Sequence, residues 1–178
     1  MPYSTYTRIR DLLYHVAAAQ QKDYSDLAQI VHEEPVESFA IWRRGTAGNS
    51  VKQYCSPKAI RRLIRFMRAL ELVNIENNRE ISLTPKGQNA LQGNNFNPQL
   101  STQLKEYLEK NGANFATLIK TMKDVKLPEV PDRYTILEHL RAQGATIDDE
   151  KFRIVVNLFV RTGELSSRMR RMFTEARR

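Results

Sequence analysis

Residues 56–91 read SPKAIRRLIRFMRALELVNIENNREISLTPKGQNAL, and this stretch decides the fold. Ser56-Pro57 starts a helix: the serine hydroxyl caps free backbone N–H groups, and proline fits the first turn because its missing N–H costs nothing there. Over 57–72, Ile60, Leu63, Ile64, Met67 and Leu70 fall at i, i+3, i+4, i+7 and i+10, the spacing of one buried helical face. Lys58, Arg61, Arg62, Arg65 and Arg68 take the remaining arc. Val73-Asn74-Ile75, a turn through Glu76-Asn77-Asn78, and Glu80-Ile81-Ser82-Leu83 then read as a short hairpin. Thr84-Pro85 opens a further short helix reaching Ala90-Leu91.

Upstream, residues 7–20 carry Ile9, Leu12, Leu13, Val16 and Ala17 at helical spacing and read as an amphipathic helix. After the polar break Gln20-Gln21-Lys22-Asp23, Ser25 is the expected cap of a second helix, over 25–33, that buries Leu27, Ile30 and Val31. Residues 36–54 are harder to assign: Phe39, Ile41 and Trp42 read as buried, and Gly45-Thr46-Ala47-Gly48-Asn49-Ser50 as a flexible loop. Downstream, Gly93-Asn94-Asn95-Phe96-Asn97-Pro98 lacks periodicity and reads as a linker, dividing the chain into a first domain over 1–93 and a helical second domain over 99–178. Four helices are expected in the second, over 99–110, 114–125, 132–143 and 149–162, with Gly163 ending the last. Both halves then finish in the same order: a helix, a polar turn and a basic strand.

The 178 residues carry a net charge of +8, and the excess is concentrated. Residues 43–70 hold Arg43, Arg44, Lys52, Lys58, Arg61, Arg62, Arg65 and Arg68 with no Asp or Glu, whereas residues 1–42 are net acidic. A second basic block, over 161–178, includes Arg168, Arg170 and Arg171. Two such blocks in an otherwise neutral chain point to a polyanionic partner. A helix with one apolar and one cationic face packs on a core while offering guanidinium groups outward. Those groups bind two phosphate oxygens, or O6 and N7 of guanine, in bidentate fashion.

Residues 56–91 resemble the core of the winged helix-turn-helix superfamily, and with the two preceding helices the resemblance covers about 85 residues, from 7 to 91. Leu70-Glu71-Leu72-Val73 stands at the leucine-glycine-leucine-type exit, with Glu71 where Gly is more usual. Asn77-Asn78-Arg79 is the wing tip, and Leu83-Thr84-Pro85-Lys86-Gly87 matches the family's closure in full. The insertion at 36–54 is longer than a simple helix-turn-helix turn. The resemblance implies a mainly α fold with a small β-hairpin wing, followed by a second helical unit that could itself be a winged helix. It further implies that Lys58, Arg61, Arg62 and Arg65, with Arg68 on the same face, meet the major groove or flanking phosphates of double-stranded DNA. Arg79 would reach the minor groove or backbone. Arg43, Arg44 and Lys52 would add phosphate contacts from the preceding loop, and Arg168, Arg170 and Arg171 from the tail.

The second half is expected to dimerise or dock a protein partner. Asp148, Asp149 and Glu150 suit a helix N-terminus but repel phosphate where a reading helix enters DNA, and Arg153 and Arg161 are too few to offset them. No catalytic residue, metal or cofactor is expected. His15, His32, His139 and Cys55 lack metal-ligand spacing, and His32-Glu33-Glu34 reads as a helix end. Pro131-Asp132 with Asp149-Glu150-Lys151 fits a loose metal-dependent nuclease pattern, but that chemistry needs adjacent strands, and both pieces start helices here. Phosphate-binding loops, nucleophile elbows and dinucleotide fingerprints are absent from the sequence. A lone cysteine, no run of about 18 apolar residues and no signal-peptide pattern at Met1-Pro2-Tyr3-Ser4-Thr5 fit a soluble cytoplasmic protein, associated with the nucleoid. The expected function is that of a DNA-binding transcriptional regulator or the DNA-recognition subunit of a larger complex. The alternative is a tandem winged-helix protein-interaction subunit of a chromosome-organising or other multi-protein assembly, with the 57–72 helix docking an acidic partner.

Overall fold

The computed structural model of the protein describes residues 4–19, 23–34, 36–44, 50–77, 79–124 and 133–165, with backbone alone at 42–44, 50, 121, 123, 124, 133 and 134. It is mainly helical, with small antiparallel hairpins. The chain divides into two compact units, Met1–Phe96 and Asn97–Arg178.

The first unit runs α1 (Thr5–Ala19), α2 (Tyr24–Glu33), a 3-10 turn (Glu37–Phe39), β1 (Ala40–Arg44), β2 (Ser50–Tyr54), α3 (Pro57–Ala69), β3 (Val73–Glu76), β4 (Glu80–Leu83) and α4 (Pro85–Ala90). Its core gathers Ile9, Leu12, Leu13 and Val16 from α1, Leu27, Ala28 and Val31 from α2, and Ile60, Ile64 and Met67 from α3. Each large aliphatic side chain buried this way contributes roughly 2 kcal/mol. Around that core α1 lies against α2, α3 and β4, and α3 lies against α2 and β3. Leu63 is only half-buried, whereas Phe66, outside the expected stripe, joins the buried face.

Local expectations also change at the start of α2 and ahead of α3. The cap of α2 is Asp23, whose carboxylate accepts from the Ser25 N–H at 2.7 Å, so the helix starts at Tyr24, two residues earlier than a Ser25 cap would set it. Residues 40–44 and 50–54, which the sequence does not assign to an element, pair as antiparallel strands in the register Ala40↔Tyr54, Ile41↔Gln53, Trp42↔Lys52, Arg43↔Val51 and Arg44↔Ser50. The root of this hairpin is tied to the helices. Cys55 donates its N–H to the Phe39 carbonyl at 2.9 Å, and His32 Nδ1 bonds the Cys55 carbonyl at 2.9 Å. Arg8 of α1 donates to the carbonyls of Ser38 at 2.8 Å and Ala40 at 3.2 Å.

The exit of α3 explains the string from Leu83 to Gly87. The Leu72 N–H bonds the Met67 carbonyl at 3.0 Å and the Glu71 N–H bonds the Arg68 carbonyl at 2.9 Å, the paired closure that ends a helix on a left-handed residue. That residue is Glu71, with φ +56°, a position glycine takes at lower cost. Thr84 Oγ1 donates to the Glu71 carbonyl at 2.6 Å and accepts from the Gly87 N–H at 3.0 Å, while Lys86 pairs with the Glu71 carboxylate at 2.6 Å. Pro85 fills the first position of α4. Gly87 lies so close to α3's exit that a Cβ there would stand 2.0 Å from the Leu72 carbonyl oxygen. Each residue of Thr84-Pro85-Lys86-Gly87 thus has a geometric reason.

In the second unit the described residues form α5 (Phe96–Lys110), α6 (Phe115–Asp124), α7 (Arg133–Ala142) and α8 (Asp149–Arg161). α5 begins inside the stretch expected to be linker, at Phe96, which is buried and meets Tyr6 edge-on at 5.0 Å within the first unit. Leu104, Leu118, Ile136, Phe152, Val155 and Phe159 fill the second core. The α5–α6 and α7–α8 turns meet through backbone: Thr146 donates to the Asn111 carbonyl at 2.8 Å, and a Cβ on Gly112 would stand 2.4 Å from the Gly144 carbonyl oxygen. Ser101 and Lys105 of α5 both bond the Glu164 carboxylate just beyond α8. The basic strand expected after α8, with Arg168, Arg170 and Arg171, lies outside the described residues, as do Pro131-Asp132 and the loop 45–49.

Candidate nucleic-acid interface

Ser56 Oγ accepts from the Ala59 N–H at 3.3 Å and Pro57 occupies the first turn, so α3 starts where the sequence places it. With Ile60, Ile64 and Met67 turned into the core, helical geometry puts Lys58, Arg61, Arg62, Arg65 and Arg68 on an opposing arc of about 120°, along about 15 Å of axis. Lys58, Arg62, Arg65 and Arg68 are exposed and Arg61 is half-buried. Among the described residues, none of these five, nor the exposed Arg79, forms an ion pair with a carboxylate.

The start of α2 and the β3–β4 hairpin border the C-terminal half of this face. The Tyr24 N–H donates to the Arg79 carbonyl at 2.8 Å, and Asp23 pairs with Glu80 as an isolated bridge. These contacts hold the β3–β4 turn, with Asn77 at φ +48°, beside the first residue of α2. Arg65 reaches back to donate to Tyr24 Oη at 3.3 Å. That hydrogen bond, joined by the charges of Arg65 and Arg61, holds the Tyr24 phenol below its ordinary pKa against a smaller opposing effect of burial. Tyr24, Arg65, Arg68, Ala69 and Ile75 line a groove of about 720 Å³.

Tyr24 has no signature in the sequence, because its place in the groove comes from Arg65, 41 residues away. The cations expected before α3 stand differently from those on it. Lys52, on β2, pairs with Glu37 and lies 5.4 Å from the Tyr54 ring centre. The hydrogen bond to Glu37, then that to Tyr54, raises its pKa above the ordinary lysine value, so its charge is shared with the protein's own carboxylate. Arg43 and Arg44 lie on β1 opposite Val51 and Ser50.

The described histidines and acids do other work. His32 anchors the β1–β2 hairpin, and Asp148 caps α8 by accepting from the Lys151 N–H at 2.8 Å while pairing with the Lys151 ammonium at 2.9 Å. Among the described residues no cluster of His, Cys, Asp and Glu could hold a metal ion, and no helix is long and apolar enough to cross a membrane. In comparison with known proteins, no family model matches the chain, and neither do any curated proteins or solved structures.

Proposed function

We propose that this chain binds double-stranded DNA through its first unit, with α3 as the recognition helix and the β3–β4 hairpin as the wing of a winged helix-turn-helix. One observation carries the reading: a helix buried along one side shows five cations on the other, with no carboxylate of the described residues to neutralise them. Guanidinium groups without carboxylate partners, spaced along a helix, match the phosphates bordering a major groove and the acceptor edge of guanine. The order of three helices and a hairpin, with α2 packed on α3, supports the same arrangement. The protein acts in this reading as a binding protein rather than an enzyme, either a transcriptional regulator or the DNA-recognition part of an assembly in the cytoplasm. The second unit, whose α8 opens on acidic residues, takes the role of a dimerisation or partner-docking module.

A duplex titration tests the proposal. Replacing Arg61, Arg62 and Arg65 together by Ala is expected to weaken binding about tenfold or more and to flatten its dependence on salt by roughly 0.9 logarithmic unit for each phosphate no longer neutralised. Unchanged affinity removes α3 from the interface.

A further inference from the structure

We infer that Tyr24, Arg65 and Arg68 form a clamp for the sugar-phosphate backbone of one DNA strand, and that the Tyr24 hydroxyl positions the Arg65 guanidinium for it. The inference rests on the duplex-binding reading above and gives the groove beside α3 an occupant. Its chemistry is two-sided. Two guanidinium groups supply donors for phosphate oxygens, and Ala69 and Ile75 supply an apolar patch suited to the carbon face of a deoxyribose. The volume, about 720 Å³, accepts a nucleotide-sized segment. The Tyr24 backbone is held by its N–H bond to the Arg79 carbonyl at 2.8 Å, and its hydroxyl accepts from Arg65 at 3.3 Å. Arginine loses rotamer freedom whenever it is held, and a partner that holds it before the ligand arrives lowers the cost of binding.

The clamp also divides labour along α3. Arg65 and Arg68, in the C-terminal half, hold the strand irrespective of sequence. Lys58, Arg61 and Arg62, in the N-terminal half, are left to meet base edges.

The test is a double-mutant cycle on the full chain, read by fluorescence anisotropy of a short labelled duplex of mixed sequence at several salt concentrations. Tyr24→Phe, which keeps the ring and removes only the hydroxyl, is expected to weaken binding about fivefold with an unchanged salt slope, the neutral hydroxyl displacing no counterion. Arg65→Ala is expected to weaken it about tenfold and lower the slope by about one. The double variant should bind no worse than Arg65→Ala, because the hydroxyl acts through that guanidinium. Full additivity, or a Tyr24→Phe protein that binds like wild type, overturns the clamp while leaving α3 in the interface if Arg61→Ala and Arg62→Ala still weaken binding. A wild-type chain that does not bind the duplex ends both readings. Titration with inorganic phosphate alone at matched ionic strength is expected to give no saturable heat, and saturable binding without a Tyr24→Phe effect on duplex reassigns the groove to a free anion.

Discussion

α3 and α8 are each 13 residues long, each is opened by a side-chain cap, and each buries one face in its own unit. They treat their N-terminal turns in opposite ways. α8 sets Asp148, Asp149 and Glu150 against the positive end of its dipole, which stabilises a helix by about 0.3–1 kcal/mol per charge. α3 has no acid in its first turn, places Lys58 there instead, and follows it with four arginines. One helix is optimised for itself. The other forgoes that stabilisation and leaves the positive end of its dipole, together with its cations, facing outward. No carboxylate among the described residues offsets that choice, which is the pattern on which the proposed interface rests.

The contrast breaks most severely at the glycines. Gly87→Ala forces a Cβ to 2.0 Å from the Leu72 carbonyl oxygen, so the backbone of α3's exit must shift. It is expected to cost about 3 kcal/mol or more in chemical denaturation, and to abolish duplex binding with the geometry of α3's exit. Gly112→Ala makes the corresponding clash in the second unit, 2.4 Å from the Gly144 carbonyl oxygen at a position of φ +72°. It should destabilise the protein comparably, yet leave duplex affinity within about twofold at temperatures where the chain is still folded. Loss of binding in both variants would dissolve the difference drawn between the units.

The next largest effect concerns charge. Removing Lys151, Arg153 and Arg161 of α8 together is expected to change duplex affinity by less than about twofold, against the tenfold loss expected from the three arginines of α3. Equal losses from the two helices would make the binding a matter of net charge alone. A smaller effect has opposite signs in two assays. Lys58→Glu puts an acid at the start of α3 and is expected to raise stability by about 0.5 kcal/mol while weakening duplex binding. A variant that loses both would mean that Lys58 supports the fold rather than the interface.

The smallest effect is a pH dependence confined to the second unit. Hydrogen bonds from Lys105 and then Ser101 hold the Glu164 carboxyl below its ordinary pKa. A carboxylate depressed on folding stabilises above its unfolded pKa, and that contribution is lost as pH falls through the folded value. Acid melts of Glu164→Gln should therefore show a shallower loss of stability below about pH 4.3, the ordinary glutamate value. An acid limb identical to wild type's would show that the Ser101-Glu164-Lys105 cluster adds nothing to folding.

Much of this molecule is legible from residue order, and the parts that are not share a cause. The α3 face follows from Ile60, Ile64 and Met67 recurring with the helical period, and the start of α4 from Thr84 and Pro85, since both depend on neighbours a few residues away. The β1–β2 hairpin escapes a local reading because Ile41-Trp42-Arg43-Arg44 does not alternate apolar with polar, and its strand state depends on pairing with residues 50–54. Asp23 and Ser25 are both good caps, and the bridge from Asp23 to Glu80 marks which one stands outside the helix. At the site, the cations of α3 are visible in the sequence as a run without acids. Pairing of Lys52 with Glu37 and the approach of Tyr24 to Arg65 are not, because each joins residues brought together only by tertiary structure.

The inserted hairpin leaves the helical body at Phe39 and returns at Cys55, two residues joined by one backbone hydrogen bond and braced by Arg8 and His32. α2 and α3 therefore meet across a closed stem. Chain length in such a branch adds only a slowly growing closure entropy, so a peptide spliced between β1 and β2 is expected to leave the helix pair undisturbed.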